Sequence, residues 1–292
     1  CISMKNSKTK VIENIMNSIF TVCGLAALAF VIIITAFLLV SGMPAIREIG
    51  IAKFLFGKIW SPTSANPQYG ILPFILSSVA GTAGAIVIGV PIGLMCAIYI
   101  SKFAPEKASS LIGSAVELLA GIPSVVYGLV GMIIIVPAVR NLFGLPDGAN
   151  LFSAIIVLAV MILPSVISVS KTAIKAVPKE YEEGSLALGA TKTETVFKIV
   201  VPAAKSGILA SVVLGIGRAI GEAMAVMMVS GNAANMPGIF KSVRFLTTAV
   251  ASEMSYSSGL QRKALFSIAL VLFIFILIIN IVLNTVVKNK KR

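Results

Sequence analysis

Long apolar runs alternate with short polar stretches along this chain, and the runs are too long for strands or for the core helices of a soluble domain. A bilayer core about 30 Å thick takes roughly 20 apolar residues of helix. Runs of that length recur at 19–41, 71–100, 113–138, 151–170, 206–230 and 264–287. They predict an all-α integral membrane protein with six transmembrane helices. The second run is long and carries Gly81, Gly84, Gly89, Pro91 and Gly93, which fits tilt or kinking. The third contains "GIPSVVYG", where Pro123 removes a backbone donor. A break inside a membrane is tolerated only where protein or water satisfies the freed groups. Gly121, Pro123 and Ser124 therefore mark either a kink between packed helices or a break facing a cavity, and Pro164 repeats the pattern in the fourth run. The stretch 42–70, with Trp60, Pro62, Pro67 and Tyr69, reads as a structured loop at the membrane interface.

The polar stretch Val177–Pro202, "VPKEYEEGSLALGATKTETVFKIVVP", has its own pattern. Pro178 suits a first helical turn, and Glu180, Glu182 and Glu183 follow where the helix dipole favours carboxylates. Gly189 can end that helix in a left-handed conformation. Thr191 followed by Glu194 is a capping-box spacing that starts a second short helix, expected to end near Val201 because Pro202 follows. Tyr181, Leu186, Leu188, Val196, Phe197 and Ile199 exceed what a solvated loop needs. Two readings stay open: an amphipathic hairpin lying on lipid, or a docking surface for a soluble partner.

The fifth run raises a sharper question. "LGIGRAIGEAMAVMMVSG" is apolar or small nearly throughout, yet Arg218 and Glu222 stand at its centre. As one helix, this run places them a turn apart on nearly the same face. An arginine at mid-membrane costs about 3 kcal/mol on insertion scales. The pair either neutralises itself or serves a pathway. Deleting both residues would remove the cost, and buried pairs are weak grounds for stability. Gly217 and Gly221 form a small-xxx-small pair that permits close helix approach.

Composition agrees with the pattern. Of 292 residues, 58% are hydrophobic and 12% charged, with a net charge of +13. The positive charge reads as membrane-flanking residues rather than a nucleic-acid surface. Fifteen lysines and arginines fall before the first run, between runs two and three, between runs four and five, and after the last; eight fall in the other connections. Both termini are therefore expected in the cytoplasm. Met4 with the basic stretch after it reads as a natural start, with Cys1–Ser3 as additions and no cleavable signal. The chain has no histidine and its Cys23 and Cys96 lie within apolar runs. That excludes most metal, haem and thiol chemistry, and no cluster of polar catalytic groups points to an enzyme. Three segments result: 1–70 (N-terminus, first helix and external loop), a multi-helix membrane core at 71–287, and a basic tail at 288–292.

The Val177–Pro202 stretch resembles the EAA loop of bacterial ABC importer permeases. Glu183, Gly189, Ile199 and Pro202 fall at the motif's spacings, while Gly184, Ser185 and Val201 depart from it. "RAIGEAMAVMMVSGN", "FLFGKIWSP", "YGILPFI" and "GIPSVVYG" are similar to the phosphate importer permeases of the PstC type, over nearly the whole chain. Ala223 stands where that family usually has Thr. The resemblance implies a type I ABC importer permease fold whose loop, with Glu183, Gly189, Ala190, Ile199 and Pro202, sits against an ATPase. It also implies a sister permease (PstA type), an ATPase dimer (PstB type), an external phosphate-binding protein (PstS type) and phosphate as cargo. No G-x-x-x-x-G-K-[ST] sequence is present, so ATP hydrolysis falls to a separate chain and no cofactor is expected here. The chemistry of Arg218 fits an oxyanion, because its planar fork matches phosphate oxygens. Glu222 is then expected to hold the guanidinium when cargo is absent, and to accept the proton of a protonated oxyanion.

Overall fold

The computed structural model describes residues 2–289, without the side chains of 2–9, 11, 283, 284 and 286–289. The expectations for Cys1–Ser3 and for the basic tail 288–292 fall outside the described side chains. The chain is helical almost throughout. Helix α1 (Ile2–Ile49) and the short α2 (Ile51–Phe56) lead to a two-stranded antiparallel ribbon, β1 (Trp60–Ser61) and β2 (Gln68–Tyr69), with Trp60 opposite Tyr69. Helix α3 (Leu72–Phe103) closes on a π-turn at Tyr99–Phe103. Then come α4 (Glu106–Gly121), α5 (Ser124–Phe143) and α6 (Leu151–Lys175). The hairpin α7 (Lys179–Ala187) and α8 (Lys192–Ala203) follows, and α8 contains a π-turn at Val196–Val200. Helix α9 (Lys205–Gly221) leads to α10 (Met224–Val229), α11 (Leu246–Glu253) and α12 (Gly259–Asn289). Helices α1, α3, α5, α6 and α12 are each long and apolar enough to cross a bilayer. The bent pair α8–α9 passes the same test when its two halves are taken together, which brings the crossings to as many as six.

Helix α6 is the hub, lying along both α3 and α9. Its entry is set by Asn150, whose side-chain oxygen accepts the Ser153 amide at 3.0 Å. Small residues on α3 let the two backbones approach. A Cβ on Gly89 would lie 2.9 Å from the carbonyl oxygen of Ala159, and one on Gly93 would lie 2.8 Å from Val166. Buried Ser170 and Ser211 join α6 to α9 by a 2.8 Å hydrogen bond. Helix α1 leans on α12, where Ser267 donates to the Gly42 carbonyl at 2.5 Å.

Several expected boundaries move. The first helix continues past residue 41 and through Pro44 to Ile49, because Gly42 and buried Ala45 pack there. The third run divides at Ile122–Pro123. Its first half, with Glu117, belongs to α4, and the crossing helix is Ser124–Phe143. Helix α6 passes Pro164 without a break. Helix α8 runs through Pro202 to Ala203, since the π-turn ahead sends the Val201 amide to Val196 and shifts the hydrogen-bond ladder past the missing donor. It then bends by 69° into α9.

The α3–α6 contact makes a prediction. Gly89→Val forces a side chain against a backbone carbonyl and should cost about 1–3 kcal/mol or more. Purified Gly89→Val protein is expected to show lower yield and a lower Tm. Gly24→Val, whose added carbon meets nothing within 4 Å, should behave like the unmodified chain.

Candidate functional site

Arg218 lies thirteen residues into α9, about 20 Å along the helix from Lys205. The residue is half-buried. Its Nη1 donates to Ser165 Oγ on α6 at 3.4 Å, a long bond, and it forms no ion pair among the described residues. Tyr127 of α5 is close enough to feel the guanidinium charge. The Tyr127 hydroxyl donates to the Leu119 carbonyl at 2.7 Å, reaching back across the break at Ile122–Pro123. Gly121 and Pro123 are exposed at that break, and Ser124 opens α5.

The helix does not carry Glu222 on the face of Arg218. Helix α9 stops at Gly221, and Glu222 is extended, with φ −73° and ψ 130°. Its carboxylate accepts the Ala225 amide at 2.9 Å and so caps α10, while its carbonyl accepts Thr247 Oγ1 at 2.7 Å. These two partners compete with continued helix. The expected Arg218–Glu222 pairing is thereby corrected: the carboxylate is occupied with backbone, and the arginine is left to Ser165. Ala223 sits at the same break. The break lies beside the one in the third run, since a Cβ on Gly128 would come within 2.7 Å of Ala225 Cα. Gly217 and Gly221 do not bring a helix of this chain close, because a Cβ on either meets nothing within 4 Å. With Ser206, Ala210 and Leu214 they form an exposed stripe along α9.

The α7–α8 hairpin has the start, corner and capping box that its sequence predicts, and only the end of α8 lies later. Pro178 precedes α7, and Gly189 turns the corner at φ 89°. The Thr191 hydroxyl accepts the Glu194 amide at 3.3 Å, and Glu194 Oε2 accepts the Thr191 amide at 3.1 Å. The Thr191 backbone amide, then Lys198, hold the Glu194 carboxyl down at about 2. Val196 and Val200 are buried beneath the hairpin. Above them Leu188 is 91% exposed, and Tyr181, Leu186, Phe197 and Ile199 are also exposed. Glu183 and Pro202 are exposed and Ala190 is half-buried. A groove of about 490 Å³ runs between Tyr181, Ser185, Leu188, Ala190, Glu194 and Ile199.

Sequence reasoning missed a second polar centre. Glu253 accepts Trp60 Nε1 at 3.1 Å and Gln261 Nε2 at 3.0 Å, and is ion-paired with Arg244. Arg244 also donates to the Asn232 carbonyl at 2.9 Å. These contacts clamp the ribbon, the 5–6 connection and the start of α12 together. No local pattern announces a pairing across 193 residues. Ser165 and Thr247 were missed for the same reason: each is a lone hydroxyl in an apolar or mixed stretch.

Known proteins resemble this arrangement. Residues 89–291 match the family described as "Binding-protein-dependent transport system inner membrane component". The probable ABC transporter permease protein YqgH of Bacillus subtilis is 40% identical over 271 residues, covering 90% of this chain and 88% of that protein. The phosphate transport system permease protein PstC of Pasteurella multocida is 36% identical over 242 residues, covering 76% and 75%. Among solved structures, a bacterial alginate ABC transporter aligns with a TM-score of 0.60 at 14% identity over 92% of each chain. The inward-facing MetNI methionine ABC transporter aligns at 0.57 and 20%, over 76% of this chain and 95% of that one. These two show the shared fold. The chain belongs to the binding-protein-dependent transport system inner membrane components, the permease subunits of ABC importers.

Proposed function

We propose that this chain is one of two membrane-spanning subunits of an ATP-driven importer of inorganic phosphate, and that phosphate passes Arg218. A permease of this family works with an ATPase and a substrate-binding protein. Here the partners are a sister permease of the PstA type, an ATPase dimer of the PstB type and a binding protein of the PstS type. The observation that carries the reading is the state of Arg218: a guanidinium deep in an apolar helix, held by one long hydrogen bond and, among the described residues, by no carboxylate. Such a charge is costly alone, and a phosphate oxyanion offsets the cost with a bidentate contact. The start of α5 at Ser124 supports it, since the first amides of a helix broken inside a membrane favour anions. The exposed α9 stripe with Gly217 and Gly221 faces the sister permease, so the path lies between two chains. The exposed apolar crest of the α7–α8 hairpin sits in the ATPase and moves with ATP binding. Another oxyanion is the second reading, favoured by Ala223 at the break, where the phosphate permeases usually carry Thr. Uptake of labelled phosphate competed by phosphonate or molybdate separates the two.

Both termini and the α7–α8 hairpin lie in the cytoplasm in this reading. An impermeant thiol reagent on intact cells should label Ser64→Cys, in the exposed loop between β1 and β2, and spare Leu188→Cys. The reverse result inverts the topology.

The Gly189 corner needs a left-handed backbone that a β-branched residue adopts only with strain. Gly189→Val is expected to reach the membrane yet lose co-purification with the ATPase. Normal co-purification and uptake would refute the docking role.

Arg218→Gln removes a charge-assisted contact and should lower phosphate uptake about 10–100-fold at matched membrane levels. Glu222→Gln keeps an oxygen for the Ala225 amide, so the break should hold. Because Glu222 does not neutralise Arg218, the double variant Arg218→Gln, Glu222→Gln is expected to stay inactive. Recovery of uptake in the double variant would mean that Arg218 served only to balance Glu222.

A further inference from the structure

Among the described residues, helices α7 and α8 make one side-chain hydrogen bond to the membrane-embedded part of the chain. Lys102, in the π-turn that closes α3, is ion-paired with Glu182 of α7. The two side chains are 15% and 27% exposed, so water screens them less than an ordinary surface pair. Lys179 and Lys192 stand near enough to repel Lys102, and Glu182 is its one ion-pair partner among the described residues. Lys192 itself lies over the Phe103 ring, 5.5 Å from its centre.

Around the pair, the joint is otherwise apolar. Ile98 and Ile100 of α3 share a cluster with Val196 and Val200 of α8. Apolar contact resists compression, but it is non-directional and slides under shear. A hydrogen-bonded ion pair has direction and resists being pulled apart. Both sides of the joint carry π-turns, Tyr99–Phe103 and Val196–Val200, a rare local geometry that recurs at functional sites. Ser185 and Thr195 are hydrogen-bonded at 2.9 Å, so α7 and α8 move together. On its far side, α3 presses its glycines on α6, which holds Ser165 against Arg218.

We infer that Lys102 and Glu182 are a positioning pair that ties the ATPase-facing hairpin to α3, so that motion of the hairpin in either direction reaches the Arg218 site. The inference rests on reading the chain as an importer permease and deepens it.

The test uses the complete importer, permease pair and ATPase, reconstituted with its binding protein. Cys1, Cys23 and Cys96 are replaced, and Gly217→Cys, beside Arg218, reports the site. Its labelling with and without ATP and vanadate reads motion independently of cargo. Lys102→Met and Glu182→Gln are expected to assemble and to hydrolyse ATP within about twofold of the unmodified importer. Their nucleotide-dependent labelling change should be lost, and uptake per ATP should fall about five- to tenfold, the size of one contact coupling. The charge exchange Lys102→Glu, Glu182→Lys should restore both. A labelling change that persists in the single variants overturns the inference. Joint loss of ATPase binding and hydrolysis without rescue by the exchange also overturns it, because the pair would then serve only to hold the hairpin in place. An importer carrying Gly217→Cys with Lys102 and Glu182 intact that moves residue 217 on ATP but takes up no phosphate fails the phosphate reading alone.

Discussion

Inside a bilayer an unpaired amide or carbonyl has no water to turn to, and this chain interrupts its helices twice near Arg218, the arginine set in its fifth apolar run. Each interruption is answered by a specific side chain. Tyr127 reaches back to the Leu119 carbonyl across the first break. At the second, Glu222 takes the Ala225 amide and Thr247 takes the Glu222 carbonyl. The glycine contacts of α3 on α6 and the Ser170–Ser211 bond keep the surrounding helices rigid enough for those few groups to meet. Remove these answers and the breaks would close into continuous helix or unravel.

This constraint gives Glu222 its character. A carboxylate four residues from an arginine in an apolar stretch invites the idea of a pair. The fold uses it instead as a helix cap at membrane depth, where a cap is worth more than on a wet surface because the alternative is an unsatisfied amide. That leaves the guanidinium with the single long hydrogen bond to Ser165. In the proposed importer, a strong internal partner would have made a stable arginine and a poor transit site.

Legibility from the sequence followed the range of the interactions. Thr191 with Glu194 and the corner at Gly189 are local, and both were readable to the residue because a capping box and a left-handed glycine need only their neighbours. The apolar runs located the crossing helices, since hydrocarbon thickness imposes the same length on all of them. The failures were at interruptions. Pro123 announced a break, but the apolar run continues on both sides, so hydropathy alone could not assign 113–121 to a separate helix. The end of α9 depends on Thr247, twenty-five residues ahead. Lys102–Glu182 and Trp60–Glu253 join residues 80 and 193 apart, and neither leaves a periodic trace.

The exposed stripe on α9 has a consequence for how such a machine is built in a cell. Gly217 and Gly221 stand open beside Arg218 rather than against another helix of the chain. One subunit thus presents half of a wall, with its charge on a flank and no enclosed tube. In the proposed importer the sister permease supplies the second wall, so cargo gains an enclosed route only once the two subunits have met.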